Sequence, residues 1–128
     1  MDMKYGLIGE KLGHSFSRTI HERLENPEYG ILEIPKNGIE GYLAEAPFSG
    51  INVTIPYKET AMGYCVPSDT AKAIGCVNTL VKKPEGIFGY NTDTLGFAYM
   101  VRKSKISLKG RDLYILGSGG TSKTACYT

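Results

Sequence analysis

The sequence predicts an α/β fold with a mostly parallel sheet flanked by helices. Three observations carry this. Short apolar runs alternate with segments whose apolar residues recur at helical spacing, the pattern of strands joined by crossover helices. Glycine is abundant, 16 of 128 residues, against an average of about 7%. These glycines cluster at the ends of the apolar runs, where tight strand-to-helix turns are made.

Lys4 to Gly9 reads as a short buried strand. Ser15 to Leu24 follows as a helix, with Phe16, Ile20 and Leu24 four apart and Ser15 as its cap. Tyr29 to Ile34 is a second strand, and Asn37 caps a helix carrying Ile39, Tyr42 and Leu43 toward Pro47. Ile51 to Ile55 alternates as a strand does. Pro56 then stands where the first turn of a helix would tolerate its missing N–H. Ser68-Asp69 opens a helix through Ile74, Val77 to Val81 is a strand, Pro84-Glu85-Gly86 a turn, and Ile87 to Tyr90 a returning strand. Asn91 or Thr92 caps a helix from Asp93 to Arg102. After the polar link Lys103 to Arg111 comes the apolar strand pattern Asp112 to Leu116.

Composition excludes several classes. Fifteen basic and thirteen acidic residues leave a net charge of +2, and the longest like-charge run is short, so there is no electrostatic footprint for nucleic acid or a membrane surface. No apolar stretch approaches the roughly twenty residues of a spanning helix, and Met1 to Lys4 lacks a signal-peptide segment. A cytoplasmic location is expected. Cys65, Cys76 and Cys126 are odd in number and widely spaced, which predicts reduced thiols. His14 and His21 have no partners at ligand spacing, so no metal site is predicted.

The sharpest local pattern is Gly117-Ser118-Gly119-Gly120-Thr121-Ser122, directly after an apolar run. Its first two glycines match G-x-G-x-x-G/A, with Ser122 in the third slot; a purely structural strand-to-helix turn is the alternative. The expected reading is an incomplete Rossmann-type βα unit, whose N–H groups at the helix start suit a pyrophosphate. Its ribose-reading residue, some 20 positions on, would fall past Thr128. Elsewhere the notable polar residues follow predicted strands: Ser15, Ser17, Thr54, Lys58, Asn78 and Asn91 to Asp93. In open parallel sheets such positions converge on the ligand crevice, and these suit a hydroxyl-rich ligand. Ser15 and Asp93 as simple helix caps are the alternative. Lys58, after Pro56-Tyr57, would sit in a helix first turn, where the dipole disfavours a cation.

Five segments together, Gly9-x-x-x-Gly13-His14-Ser15-Phe16-Ser17-x-x-Ile20-His21, Asn52-Val53-Thr54-Ile55-Pro56-Tyr57-Lys58-Glu59, Ile74-Gly75-Cys76-Val77-Asn78-Thr79, Gly89-Tyr90-Asn91-Thr92-Asp93 and Gly117-Ser118-Gly119-Gly120, resemble the shikimate dehydrogenase family in order and content. The resemblance implies NADP-linked, reversible reduction of 3-dehydroshikimate to shikimate in aromatic amino-acid biosynthesis. It implies Lys58 and Asp93 as the catalytic pair, Ser15 and Ser17 as ligands of the substrate carboxylate, and Thr54, Asn78 and Asp93 as contacts to ring hydroxyls. Gly117, Ser118, Gly119, Gly120 and Thr121 would hold NADP. It further implies a substrate-binding domain at 1–103 and, at 104–128, a link with the truncated start of a dinucleotide-binding domain. Such a chain is expected to be inactive alone and to bring residues 111–128 into self-association or disorder. Quinate/shikimate dehydrogenase and a polyol-acid binding module without turnover are the competing readings; Ser17 favours shikimate over quinate.

Overall fold

The computed structural model describes residues 3–26 and 28–128; Met1 and Asp2, which open the expected first domain, lie outside them. In chain order come β1 (Tyr5–Gly9), α1 (Ser17–Arg23), β2 (Tyr29–Glu33), α2 (Ile39–Glu45), β3 (Gly50–Val53), a 3-10 helix (Thr60–Tyr64), β4 (Val66–Pro67), α3 (Asp69–Ile74), β5 (Thr79–Lys83), β6 (Gly86–Tyr90), α4 (Asp93–Ser104) and α5 (Gly120–Tyr127). The strands form one sheet in the order β2-β1-β3-β5-β6-β4. β1 is parallel to β2 and β3, β4 is parallel to β6, and β5 is antiparallel to both of its neighbours, β3 and β6. All strands but β5 therefore run one way, which bears out the mostly parallel sheet. The ends of β1, β3 and β6 and the start of β5 consequently share one edge.

Alternation along the strands separates two faces. Ile51 and Val53 of β3 face the main core with Ile8, Leu80 and Val77, under Ile39 and Leu43 of α2 and Ala71 of α3. Ile8, Leu43, Val53, Val77 and Leu80 are almost wholly buried, each contributing about 1.5–3 kcal/mol by the usual transfer scale. The opposite face is thinner: Leu7, Leu12 and Tyr29 cluster there with Ile31. α1 buries no side chain, and its evenly spaced Phe16, Ile20 and Leu24 are all exposed.

Several local expectations are corrected. The N-cap of α1 is Phe16, without a side-chain bond; Ser15 Oγ instead accepts from the Ser17 N–H at 3.2 Å, a serine turn ahead of the helix. Gly38, not Asn37, occupies the N-cap of α2. Ser68 does cap α3, accepting from Ala71 N–H at 3.2 Å. No helix starts at Pro56: the Ile55-Pro56 bond is cis, and the first helical turn begins only at Thr60. Lys58 thus lies outside a helix, and the dipole argument does not apply to it. The two-residue β4 has no local signature, since its pairing with Phe88–Gly89 is purely tertiary. Asp112 to Leu116 is not a strand; a ladder needs a neighbour, and among the described residues none pairs with it. The terminal segment is nonetheless not all irregular, because α5 forms and packs on α3 and α4.

Candidate functional site

Three backbone anchors place the polar residues at the shared edge. The loop after β1 is tied down by Leu12 N–H donating to Glu33 Oε1 at 2.6 Å and by Ser15 N–H to the Leu12 carbonyl at 2.9 Å. This presents Ser15 and, at the first residue of α1, Ser17. After β3, Tyr57 turns inward, buried, and its hydroxyl donates to the Ile34 carbonyl; Lys58 is then held by its carbonyl, which accepts from Val77 N–H at 3.0 Å. Asn78 extends the sheet one residue ahead of β5: its N–H donates to the Tyr90 carbonyl at 2.9 Å, and its carbonyl accepts from Val53 N–H at 2.8 Å.

Lys58 Nζ donates to Asp93 Oδ2 at 2.6 Å. The lysine side chain is 14% exposed and the carboxylate 38%, so the pair is sheltered on one side and open on the other. Asn78 Nδ2 donates to Asp93 Oδ1 at 2.8 Å and to Thr92 Oγ1 at 2.9 Å, while its oxygen accepts from Thr92 N–H at 2.9 Å. Both carboxylate oxygens are thus engaged by side chains from other elements. Thr92 holds the N-cap of α4 without a side-chain cap bond, and Asp93 spends its carboxylate on Lys58 and Asn78, which removes the cap reading of Asp93.

The chain matches the family described as shikimate dehydrogenase substrate binding domain over residues 7–80. It belongs to that family. Ser15, Ser17, Thr54, Lys58 and Asn78 fall inside the matched span; Asp93 and the glycine turn follow it. Among curated relatives, shikimate dehydrogenase (NADP(+)) of Clostridium perfringens is 40% identical, over 94% of this chain and 48% of its own length. The namesake of Halothermothrix orenii is 43% identical, over 92% and 44%. The chain therefore spans about half the length of the curated relatives it matches. Among solved structures, shikimate dehydrogenase 1 of Peptoclostridium difficile superposes with a TM-score of 0.87 at 42% identity, covering 95% of this chain and 48% of that one. Shikimate 5-dehydrogenase of Thermus thermophilus, solved with NADP(H) and shikimate, gives 0.84 at 32%, covering 98% and 51%.

Within this substrate-binding domain fold, direct bonds unite Lys58, Asp93 and Asn78. Ser15 and Ser17 adjoin each other on the neighbouring loop. Thr54 sits at the end of β3, its N–H donating to the Ile8 carbonyl at 3.0 Å, with its methyl against Gly9, where an added Cβ would lie 2.8 Å away. Sequence reasoning missed the polar row on the thinner face that joins the two clusters. Tyr29 OH donates to Asn52 Oδ1 at 2.8 Å, Asn52 Nδ2 to Thr79 Oγ1 at 3.1 Å, and Thr79 Oγ1 to Asn78 Oδ1 at 3.0 Å. Burial pushes the Tyr29 phenol up to about 12, with the influence of Ser17 opposing the rise. The phenol is thereby kept a donor. Asn52, polar between Ile51 and Val53, was the available signal.

Beside Lys58 lies a crevice of about 420 Å³, lined by Lys58 itself with Pro56, Glu59, Gly117, Gly119 and Thr121 among others. Gly117 has φ +122, where an L side chain is strained, and neither Gly117 nor Gly119 has anything within 4 Å of an added Cβ. Packing does not demand these glycines; their bare faces open on free space. α5 starts there, and the N–H groups of a helix's first turn have no partner within the helix. Gly117, Ser118, Gly119, Gly120 and Thr121 accordingly fit the phosphate end of a dinucleotide. The described residues hold no group of three His, Cys, Asp or Glu able to bind a metal ion, and no helix is long and apolar enough to cross a membrane.

Proposed function

We propose that this chain is the substrate half of an NADP-linked shikimate dehydrogenase, interconverting 3-dehydroshikimate and shikimate. The observation that carries the reading is the Lys58–Asp93 pair at 2.6 Å, with Asn78 on the second carboxylate oxygen. Hydride arriving at a carbonyl carbon leaves negative charge on the oxygen, and a cationic donor beside it both stabilises that charge and supplies the proton. Lys58 is that donor and Asp93 holds it, while Asn78 and Thr54 read ring hydroxyls. Ser15 and Ser17 take the carboxylate, as hydroxyls and loop N–H groups do for anions. Residues 117–121 would hold NADP by its phosphates, and the bound cofactor would supply or accept the hydride. Residues 1–103 serve as the substrate-binding domain, and 104–128 as the link to and start of the cofactor domain.

Titration of shikimate into the chain tests the site directly: binding should fall when Ser15 and Ser17 are both changed to Ala. Shikimate and NADP+ given to the protein carrying this chain should yield reduced nicotinamide. No binding of shikimate, or preference for quinate, defeats the reading. Two further features go with it: free thiols at Cys65, Cys76 and Cys126 suit a cytoplasmic location, and the exposed Leu113, Tyr114 and Leu116 suit self-association through that segment. Light scattering over a concentration series would refute the latter if the mass stays that of one chain.

A further inference from the structure

A polar anchor is buried where α5 meets the sheet edge. Thr124 is 2% exposed and Asn91 6%. Asn91 Nδ2 donates to Thr124 Oγ1 at 3.2 Å and to the Cys76 carbonyl at 3.2 Å, with the Cys76 sulfur 3.3 Å away. Thr124 Oγ1 in turn donates to the Gly120 carbonyl at 2.9 Å, which the Cys76 thiol also approaches at 3.7 Å. The amide orientation is fixed, because turning it over would set its oxygen against the Cys76 carbonyl. Asn91 Oδ1 is buried without a hydrogen-bond partner, a costly arrangement for an amide. A buried donor that meets its acceptors across packed elements, as Asn91 Nδ2 does at the Cys76 carbonyl and Thr124 Oγ1, favours one register of the two.

That register bears on the site at two points. Asn91 immediately precedes Thr92 and Asp93. Gly120, the first residue of α5, comes so close that an added Cβ would lie 3.2 Å from Cys76 Sγ and 3.5 Å from Lys58 Cδ. The start of the helix therefore rests on the stem of Lys58, while its middle is tied to the residues that lead into Asp93. An outer ion pair, Lys123 Nζ to Glu59 Oε1 at 2.7 Å, runs alongside; being exposed, it contributes little.

We propose that Asn91 is a positioning residue: through Thr124 it pins α5, and with it the free N–H groups of the glycine turn, at a set distance from Lys58 and Asp93. Its bearing on turnover rests on the dehydrogenase reading above; the pinning itself does not. Thr124→Val keeps the shape and removes the hydroxyl, Thr124→Ser keeps the hydroxyl, and Asn91→Ser leaves the Thr124–Gly120 bond in place. In the 128-residue chain, amide hydrogen exchange across α5 should quicken about tenfold or more in Thr124→Val and in Asn91→Ser, and stay within about threefold of the parent in Thr124→Ser, with β1, β3 and β5 unchanged. Unaltered α5 protection in Thr124→Val overturns the proposal, since shape alone would then hold the helix, as does Thr124→Ser exchanging as fast as Thr124→Val, since the hydroxyl would then not be what holds it. Where Asn91→Ser does not fold, unaltered α5 protection in Thr124→Val still overturns the proposal. In the protein carrying this chain, Asn91→Ser should raise the KM for NADP+ about tenfold and leave that for shikimate unchanged, as loss of a cofactor-positioning contact does; a rise for shikimate alone overturns the positioning role. A parent without NADP+-linked activity would sink the functional reading, and the exchange measurements would still decide the pin.

Discussion

Replacing Lys58 by Met keeps most of the stem that supports Gly120 and removes the charge. Asp93 then loses the 2.6 Å partner of Oδ2 but keeps Asn78 on Oδ1, and at 38% side-chain exposure it recovers water. The stability cost should therefore be that of a solvent-screened ion pair, about 1 kcal/mol or less. On the proposed dehydrogenase reading the chemical cost is on another scale, because a donor aimed at charge that develops only in the transition state contributes about 3–4 kcal/mol, or 10²–10³ in kcat. The two quantities separate cleanly in experiment: urea unfolding reads the first, and NADP+-linked oxidation of shikimate by the protein carrying this chain reads the second. Asp93→Asn should also slow turnover, and the double variant should lose much less than the product of the single losses, since the two side chains act as one unit. An increase in KM of about tenfold with kcat untouched would assign Lys58 to binding alone. Strictly multiplicative losses would break the pair.

Ser15→Ala and Ser17→Ala should raise the KM for shikimate with little change in kcat, because a remote carboxylate is held alike in ground and transition states; equal discrimination by mutant and parent against an analogue lacking the carboxylate would count against these serines. Tyr29→Phe removes a phenol whose titration is raised from 10.0 to about 12 by burial. The neutral form is favoured in the fold, so its stabilisation is whole below pH 10 and lost as pH rises toward 12. The variant should lose stability less steeply over that window, though not flatly, since burial also raises the Tyr57 phenol; an identical alkaline decline refutes this. Gly89→Ala would place a Cβ 2.3 Å from Cys65 Sγ and 2.8 Å from Val77 Cγ1, which should cost about 1–3 kcal/mol by overpacking; an unshifted urea midpoint would contradict it.

What could be read locally was read well, and what could not shares one physical cause. β1, β2, β3 and β6 were legible because burial on one or both faces writes itself into adjacent residues, as in Ile51-Asn52-Val53. Lys58 and Asp93 were legible because both follow strands that run the same way. β5 breaks that rule: running antiparallel, it delivers Asn78 from its start, and nothing in Thr79–Lys83 announces a direction. The row Tyr29–Asn52–Thr79 depends on the registers Tyr5↔Tyr29, Tyr5↔Gly50 and Asn52↔Thr79, which are choices of the whole sheet. Asp112 to Leu116 is the converse case, a strand-like pattern with no neighbour to pair among the described residues, since a strand is defined by its ladder and not by its residues. Asn91 and Thr124, 33 positions apart, meet only because α5 docks on α3 and α4. The candidate site is thus local in its Lys58–Asp93 pair and tertiary in everything that orients it, so variants of Asn52, Thr79 or Thr124 should alter geometry around a pair that itself stays in place.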